Sequence, residues 1–322
     1  MDDLTRRGVI GLGLGAGAFA LGSTKLRSLE DAKRGPTSDQ LVRYYAAKAR
    51  VDLWTRERID ETVHGGSKYA KIFTRQSTYG RVVSVRQIKL YDTGYTIAAE
   101  ESTTGALPHV PLIWHATAET YRLGFVVPVT DEDIDANILA LLRAHRETHE
   151  IESFRLLNRA AVYDPTVGGD GVAVCSRCHP YEFGTWANVF ESRQPLCHET
   201  LTAAVNHIRT KLVDASGIRI LADARTLVVP LSRQSIAEEL KDATDVEGKR
   251  LIRDILISPY LTDEEDWFVT TSIGGLRISE KEPLTLDVVF NSDNEPIVTS
   301  DETVAIHCHD PRAVFGSVKI TA

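Results

Sequence analysis

Sulfur is scarce in this chain of 322 residues. Met1 is the single methionine, so no internal thioether can serve as a ligand to haem iron or to another metal. The four cysteines, at positions 175, 178, 197 and 308, are too few and too unevenly spaced for the disulfide framework of a secreted scaffold. Their number favours reduced thiols in a cytoplasmic compartment.

Long apolar runs and internal repeats are also missing. The nearest candidate, residues 8–22, is too short and too rich in glycine for a stable transmembrane helix. Together with Arg6 and Arg7 it resembles a twin-arginine export signal, but Asp2 and Asp3 neutralise the two arginines. We therefore expect a flexible arm here, no cleaved leader and no membrane partner.

Positive charge is in short supply overall and is concentrated at one end. The formal net charge is −8, with a balance of +6 in residues 1–100 and −14 in residues 101–322. An acidic body excludes a broad surface that grips nucleic-acid phosphates. A basic leading segment ahead of an acidic body predicts that the arm of one chain lies on the body of a neighbouring chain.

Two segments show the periodicity of amphipathic helices. A capping box at residues 37–40 begins a helix that is predicted to run toward Val63 and to stop at Gly65. A second capping box, at residues 130–133, begins a pattern that continues without a breaker to about Ala161. A helix of that length is ~45 Å long. We interpret it as the spine of the molecule.

The rest of the chain alternates short helices with many strands, which indicates an α+β fold. Alternation in residues 82–99 and an extended pattern in 113–129 predict a two-stranded excursion with little core of its own. Beyond the spine, the patterns predict helices at 201–213 and 232–241 and strands at 218–230, 255–257, 267–271, 286–290 and 304–308.

One loop carries the spacing of covalent haem attachment. Cys175, Cys178 and His179 spell C-x-x-C-H, in which two thiols form thioether bonds and the histidine is the axial ligand. The site requires export and, without methionine, a second histidine ligand. Since three fixed letters recur easily by chance, we interpret the cysteines as loop thiols and expect no cofactor. An exported haem protein stays open as the alternative function.

The same loop offers ligands for zinc. Cys175 and Cys178 with Cys197 and His198 have a spacing compatible with a tetrahedral site. Residues 307–309 add a histidine, a cysteine and a histidine, but alternation along a strand points the cysteine away from both histidines. We assign no metal and keep the first four side chains as the candidate ligands.

The same region also suggests the hypothesis of an enzyme. His145 and Glu147 give H-x-E, and a C-x-x-C pair follows after 27 intervening residues, close to the zinc deaminase signature. However, Val174 stands where the signature has proline, and His145 lies in the middle of the spine helix. The i, i+4 pair of His145 and His149 lacks the glutamate of a zincin. We expect both histidines to be solvated or paired with a helix glutamate, and no enzymatic activity.

Six ordered segments in residues 67–322 resemble the major capsid protein of tailed bacteriophages with the Hong Kong 97 fold, in the Mu-like major head subunit group. The resemblance rests on their order rather than on a single motif, and the first 66 residues fall outside it. The segments are 69–73, 121–137, the D-G…H-P…N loop from Asp170 and Gly171 through His179 and Pro180 to Asn188, 224–230 with 237–240, 260–267 and 310–316.

The resemblance implies a fold and a function. The fold would comprise an N-terminal arm (1–73), an extended β-hairpin loop (74–120), a peripheral domain with the spine helix (121–197 and 276–322) and an axial domain (198–275). The function would be that of a structural subunit that self-assembles into the icosahedral head of a tailed double-stranded DNA phage or prophage. An encapsulin-like compartment shell is a lesser alternative.

The implied partners follow from that role. They are further copies of the chain in hexamers and pentamers, portal and scaffold proteins, and packaged double-stranded DNA bound without sequence specificity. The protein would assemble in the host cytoplasm and reside in the virion. We expect the extended loop to lie over an adjacent subunit. The side chains predicted to serve assembly are Tyr91, Tyr95, Trp114, Arg146 and Arg155.

Overall fold

The structure is a computed structural model. It describes residues 35–77, 85–88, 112–116, 121–129, 134–164, 170–181, 183–214 and 217–320. The helices in this part of the chain are α1 Ser38–Val51, α2 Arg56–His64, α3 Ile134–Asn158, α4 His198–Lys211 and α5 Gln234–Glu239. None of these helices is both long enough and apolar enough to cross a membrane.

The strands form two four-stranded sheets and two small hairpins. The first sheet has the order β1-β10-β11-β4 and the second the order β12-β9-β7-β8, while β2 pairs with β3 and β5 with β6. The expected α+β class is therefore confirmed. The strands are β1 Thr74–Ser77, β2 Val85–Ile88, β3 Leu112–Ala116, β4 Tyr121–Pro128, β5 His179–Tyr181, β6 Gly184–Trp186, β7 Ala224–Pro230, β8 Asp254–Ser258, β9 Trp267–Thr271, β10 Leu276–Phe290, β11 Pro296–Cys308 and β12 Val314–Ser317.

The first predicted helix is two helices. Its capping box is confirmed, because the backbone N–H of Gln40 donates to Thr37 Oγ1 and Gln40 Oε1 accepts from the backbone of Thr37. The predicted continuation toward residue 63 is wrong, since α1 ends at Val51. Thr55 adopts an extended conformation and accepts from the N–H of Arg58, so it caps a new helix.

The spine helix α3 has 25 residues and is about 37 Å long at the usual rise. The prediction of a long helix here is confirmed, although it ends earlier than expected, and the predicted capping box at 130–133 lies outside the described residues. Ile138, Leu141 and Leu142 are fully buried on one face. They pack with α1, α2 and the first sheet into one of three apolar cores.

A long hairpin forms the centre of the first sheet. Strands β10 and β11 pair antiparallel from Leu276 opposite Cys308 to Phe290 opposite Pro296. Strand β1 joins β10 in parallel and β4 joins β11 in antiparallel orientation. Sequence periodicity detected only the ends of this hairpin. Between those ends polar residues interrupt the apolar ones, as is typical of strands in a sheet that is covered on one face.

The second sheet carries its own apolar core. Its central strand β7 is paired with β8 in parallel and with β9 in antiparallel orientation, and the side chains of Leu227, Val228 and Val229 are completely buried. Helix α4 covers one face of it. Of the predicted strand at 218–230, residues 224–230 form a strand, β7. Of the predicted helix at 232–241, residues 234–239 form an α-helix, α5, which begins without a side-chain cap.

The predicted excursion is confirmed only in part, because residues 121–128 of its second predicted strand form β4 and pair with β11 in the first sheet. The other part appears as a hairpin of β2 and β3 that pairs with itself. Val85 lies opposite Ala116 and Ile88 opposite Leu112 in an antiparallel ladder. Within the described ranges, β2 and β3 pair with no strand of the two large sheets. The domain boundaries given above stay a prediction.

Candidate functional site

The loop that follows the spine helix closes around a buried histidine. His179 Nδ1 lies 2.7 Å from Asp170 Oδ2, and its Nε2 lies 2.9 Å from Asn188 Oδ1. The ring stacks on Trp186, with 4.4 Å between ring centroids. All three polar residues are buried. The sequence pattern D-G…H-P…N therefore places three side chains in direct contact.

Asn188 joins this loop to the C-terminal segment. Its Oδ1 also accepts from the backbone N–H of Ser176 at 2.8 Å. Its Nδ2 donates to the carbonyls of Val174, Pro311 and Val314 at 2.7 to 3.0 Å. These bonds fix the orientation of the amide, because only Nδ2 can donate to three carbonyl groups. The cluster joins this loop to the C-terminal segment, and its polar side chains are buried from solvent.

The haem alternative meets a specific obstacle in this geometry. Both ring nitrogens of His179 face oxygen partners inside the protein, so neither points outward to an iron. Cys175 is completely buried, and a Cβ placed on Gly316 would lie 2.7 Å from its Sγ. Cys178 is exposed. The two thiols therefore do not share a face on which a porphyrin could lie.

The four candidate zinc ligands are not brought together. His198 Nε2 lies 3.2 Å from the carbonyl oxygen of Thr244, and Cys197 Sγ lies 3.1 Å from Glu199 Oε2. Burial raises the pKa of the Cys175 thiol far above its usual range, which disfavours the thiolate that zinc requires. Among the described residues, no group of potential ligands includes any of these four.

The expectation for the spine histidines is wrong. His145 and His149 are completely buried, and their partner is Glu302 on β11 rather than a glutamate of the helix. His149 Nε2 lies 2.9 Å from Glu302 Oε2, and His145 Nε2 lies 2.7 Å from Ser300 Oγ. A signal was available in the sequence. Both histidines continue the i, i+3, i+4 spacing of the apolar face of α3.

The residues predicted to serve assembly have different surroundings. Arg155 is half-exposed on α3 and pairs with Glu152 at 3.2 Å. Arg146 reaches from α3 to the carbonyl of Gly66 at 3.1 Å. Trp114 lies on strand β3. Tyr91 and Tyr95 fall outside the described residues, as does most of the extended loop.

Arg146 lies in a surface cleft of about 440 Å³. Its floor includes Glu150, whose carboxylate accepts from the backbone N–H groups of Lys68 and Tyr69. Burial raises the pKa of Glu150, and those two backbone bonds oppose the rise. The lining includes side chains of both signs of charge. The lining residues are Gly66, Lys68, Arg143, Arg146, Glu147, Glu150, Pro259 and Tyr260.

Large apolar side chains are exposed on the part of the chain that surrounds the second sheet. Leu221 is 98% exposed and Phe183 is 77% exposed. Their loops adjoin, because a Cβ on Gly217 would lie 2.8 Å from the ring of Tyr181, which precedes Phe183. Gly217 has a φ of +79°, which suits glycine at this close approach.

Comparison with known proteins gives structural similarities only. No family model and no curated protein matches the sequence. A virus-like particle protein from Pyrococcus furiosus is 11% identical, with a TM-score of 0.47, over 85% of this chain and 98% of that one. The satellite phage P4 procapsid protein is 13% identical, with a TM-score of 0.40, over 82% of this chain and 97% of that one. An encapsulin complex from Synechococcus elongatus is 8% identical, with a TM-score of 0.44, over 79% of this chain and 89% of that one.

Each of these similarities is a likeness of backbone arrangement at low identity. We therefore argue the function from the residues of this chain.

Proposed function

We propose that this chain is a major capsid protein of the Hong Kong 97 fold, which assembles into the head shell of a tailed phage or prophage. The observation that carries the proposal is the β2–β3 hairpin. It pairs with neither large sheet within the described ranges, and a two-stranded hairpin by itself is only marginally stable, which favours packing against a further partner. A neighbouring copy supplies such a partner in a closed shell.

Exposed apolar side chains support the same conclusion. Leu221 and Phe183 stand on adjoining loops beside the second sheet, and Val246, in a separate loop, is also fully exposed. Burial of one such side chain against a neighbour contributes about 1.5–3 kcal/mol. Repeated around a hexamer or a pentamer, these contacts favour a closed ring of subunits.

The distribution of charge supports assembly through the leading segment. Residues 1–100 carry a balance of +6 against −14 in the remainder. Opposite charge attracts the arm of one subunit to the body of the next. The acidic body also disfavours tight binding of packaged DNA to the wall of the shell.

The finer features of the proposal come from the sequence resemblance. They are the Mu-like subgroup, the division into arm, extended loop, peripheral and axial domains, the portal and scaffold partners, and assembly in the host cytoplasm. Arg146 and Arg155 lie on the spine helix and are exposed enough to contact a neighbouring subunit. We propose them as assembly residues together with Trp114, Tyr91 and Tyr95.

The second candidate function is a compartment shell of the encapsulin kind. The exposed apolar loops and the self-paired hairpin suit either shell, so the contents of the particle distinguish the two. A phage head contains packaged double-stranded DNA, whereas a compartment contains cargo protein.

Sedimentation velocity of the purified full chain tests the proposal. We expect particles much larger than a hexamer, and particles from producing cells should contain nuclease-protected DNA. Shells that contain a cargo protein and no DNA would favour the compartment. A stable monomer across the accessible concentration range would contradict both.

A further inference from the structure

Three side chains from three segments meet beneath helix α2. His64 ends α2, Glu280 lies on β10 and Glu302 lies on β11. One potential ligand atom from each lies within 4.8 Å of the other two, and His64 Nε2 is 4.0 Å from Glu280 Oε1. The two glutamates are 2% and 1% exposed. Buried carboxylates next to an imidazole are costly unless they are compensated.

Two of these ligand atoms have no hydrogen-bond partner among the described residues. They are His64 Nε2 and Glu302 Oε1, and both are buried. A buried polar atom left without a partner costs about 1–3 kcal/mol. When His64 carries its ring proton on Nδ1, both atoms offer a lone pair, and both belong to side chains of the same three-residue group. A cation between them would then satisfy both at once.

The outer atoms of the same side chains are held by other residues. His64 Nδ1 is hydrogen-bonded to the hydroxyl of Tyr69. Glu302 Oε2 lies 2.9 Å from His149 Nε2 and 3.4 Å from His145 Nδ1. Such outer bonds are typical of metal ligands, since they fix the orientation of the imidazole and of the carboxylate. In this case they leave His64 Nε2 and Glu302 Oε1 as the inward atoms.

Both carboxylates of the cluster also contact basic side chains. Arg75 pairs with both Glu280 and Asp60. Glu302 contacts His149 and His145 instead. One imidazole and two carboxylates gathered within this distance are a donor set suited to a divalent cation.

We propose that His64, Glu280 and Glu302 bind one divalent transition-metal ion of the Zn²⁺ type. One imidazole nitrogen and two carboxylate oxygens are a ligand set that zinc accepts, whereas Ca²⁺ and Mg²⁺ prefer oxygen alone. Metal–ligand distances of about 2.0–2.2 Å require the three atoms to approach by roughly an ångström or more. The ion joins α2 to the β10–β11 hairpin. This inference goes beyond shell assembly and does not depend on it.

The test starts from the full-length protein after treatment with a chelator. Zn²⁺ is titrated into it by isothermal calorimetry, and the bound metal is counted by mass spectrometry after desalting. We expect one ion per chain and an upward shift of the melting temperature with Zn²⁺ concentration, because the ion binds the folded state. Absence of stoichiometric binding would overturn the proposal.

Two variants and a matched control locate the ion. His64→Gln and Glu302→Gln should each lose the bound equivalent. The double variant Cys178→Ser/His198→Ala, which alters the ligands that the sequence first suggested, should retain it. Retention in His64→Gln, or loss in the double variant, would contradict the assignment.

A measurement on the unaltered protein covers the case in which a variant fails to fold. The protein is loaded with Co²⁺, and its absorption and X-ray absorption spectra are recorded. We expect a nitrogen and oxygen shell that includes an imidazole, with no thiolate charge-transfer band. Sulfur ligation, or a shell without imidazole, would exclude the site.

Discussion

Asn188 Oδ1 and His179 Nε2 lie 2.9 Å apart in a buried contact between the first residue of β5 and the segment that follows β6. The amide of Asn188 continues from this contact to the carbonyls of Pro311 and Val314. A single side chain therefore joins the end of the chain to the loop beyond α3.

Asn188→Ala should destabilise the fold strongly. The substitution leaves the N–H of Ser176 and three carbonyl groups without their partner, and each buried group left unpaired costs about 1–3 kcal/mol. We expect a loss of at least about 3 kcal/mol in the free energy of unfolding, measured by urea denaturation. Asn206→Ala on the exposed face of α4 is the control, with an expected change within about 0.5 kcal/mol. Equal effects of the two substitutions would refute the role given to Asn188.

Acid should destabilise the protein in part through His307. Burial first, and then His309 and Arg277, lower the pKa of this residue to about 4. The unfolded chain therefore binds the proton first as pH falls from about 6.5 to about 4, and stability is lost across that window. The size of the effect is about 3 kcal/mol, at 1.36 kcal/mol per pKa unit.

The variant His307→Gln removes this titration while its amide can still bond to Ser279 Oγ, which lies 2.9 Å from His307 Nε2. We expect a flatter dependence of unfolding free energy on pH between 6.5 and 4. His198→Gln, at an exposed position, is the control and should follow the unaltered protein. A His307→Gln profile identical to that of the unaltered protein would show that another group governs the acid limb.

Leu221→Asp should block assembly without unfolding the subunit. The side chain is almost fully exposed, so a carboxylate there costs little in the isolated chain but is desolvated against a neighbour. We expect smaller particles by sedimentation and an unchanged circular dichroism spectrum. Ala203→Asp introduces the same residue at an exposed position of α4 and should assemble normally. Normal assembly of Leu221→Asp would remove this loop from the interface.

Deletion of residues 1–36 should weaken assembly, because it removes basic charge from the leading segment. Assembly of the full chain should in turn decrease with salt, since exposed charges are screened over about 10 Å at 0.1 M. Light scattering across a salt series measures both effects. A truncated protein that assembles with the same yield and the same salt dependence would show that the arm is dispensable.

Local signals in the sequence predicted some elements well. The capping box at Thr37, the spine helix and the self-paired hairpin follow from patterns within one segment. The break before Thr55 was missed because apolar spacing continues through it, while the cap depends on one backbone conformation. The pattern from Asp170 to Asn188 was recognised as a loop signature, but its side-chain contacts depend on the distant C-terminal segment.

The buried histidines show where local reasoning fails. The position of His145 and His149 on the apolar face of α3 is visible in the sequence, but their partner Glu302 lies more than 150 residues away. Pairing of β11 with β4 and packing on α3 bring that carboxylate to them. Contacts of this kind are set by tertiary structure, so the sequence pattern alone could not have identified the cluster.

Electron microscopy of the expressed full-length protein tests the central claim most directly. The proposal predicts closed icosahedral shells built from hexamers and pentamers, in which the hairpin from 85–88 to 112–116 lies on an adjacent subunit. Uniform monomers or small open oligomers at concentrations where the protein is fully folded would contradict it.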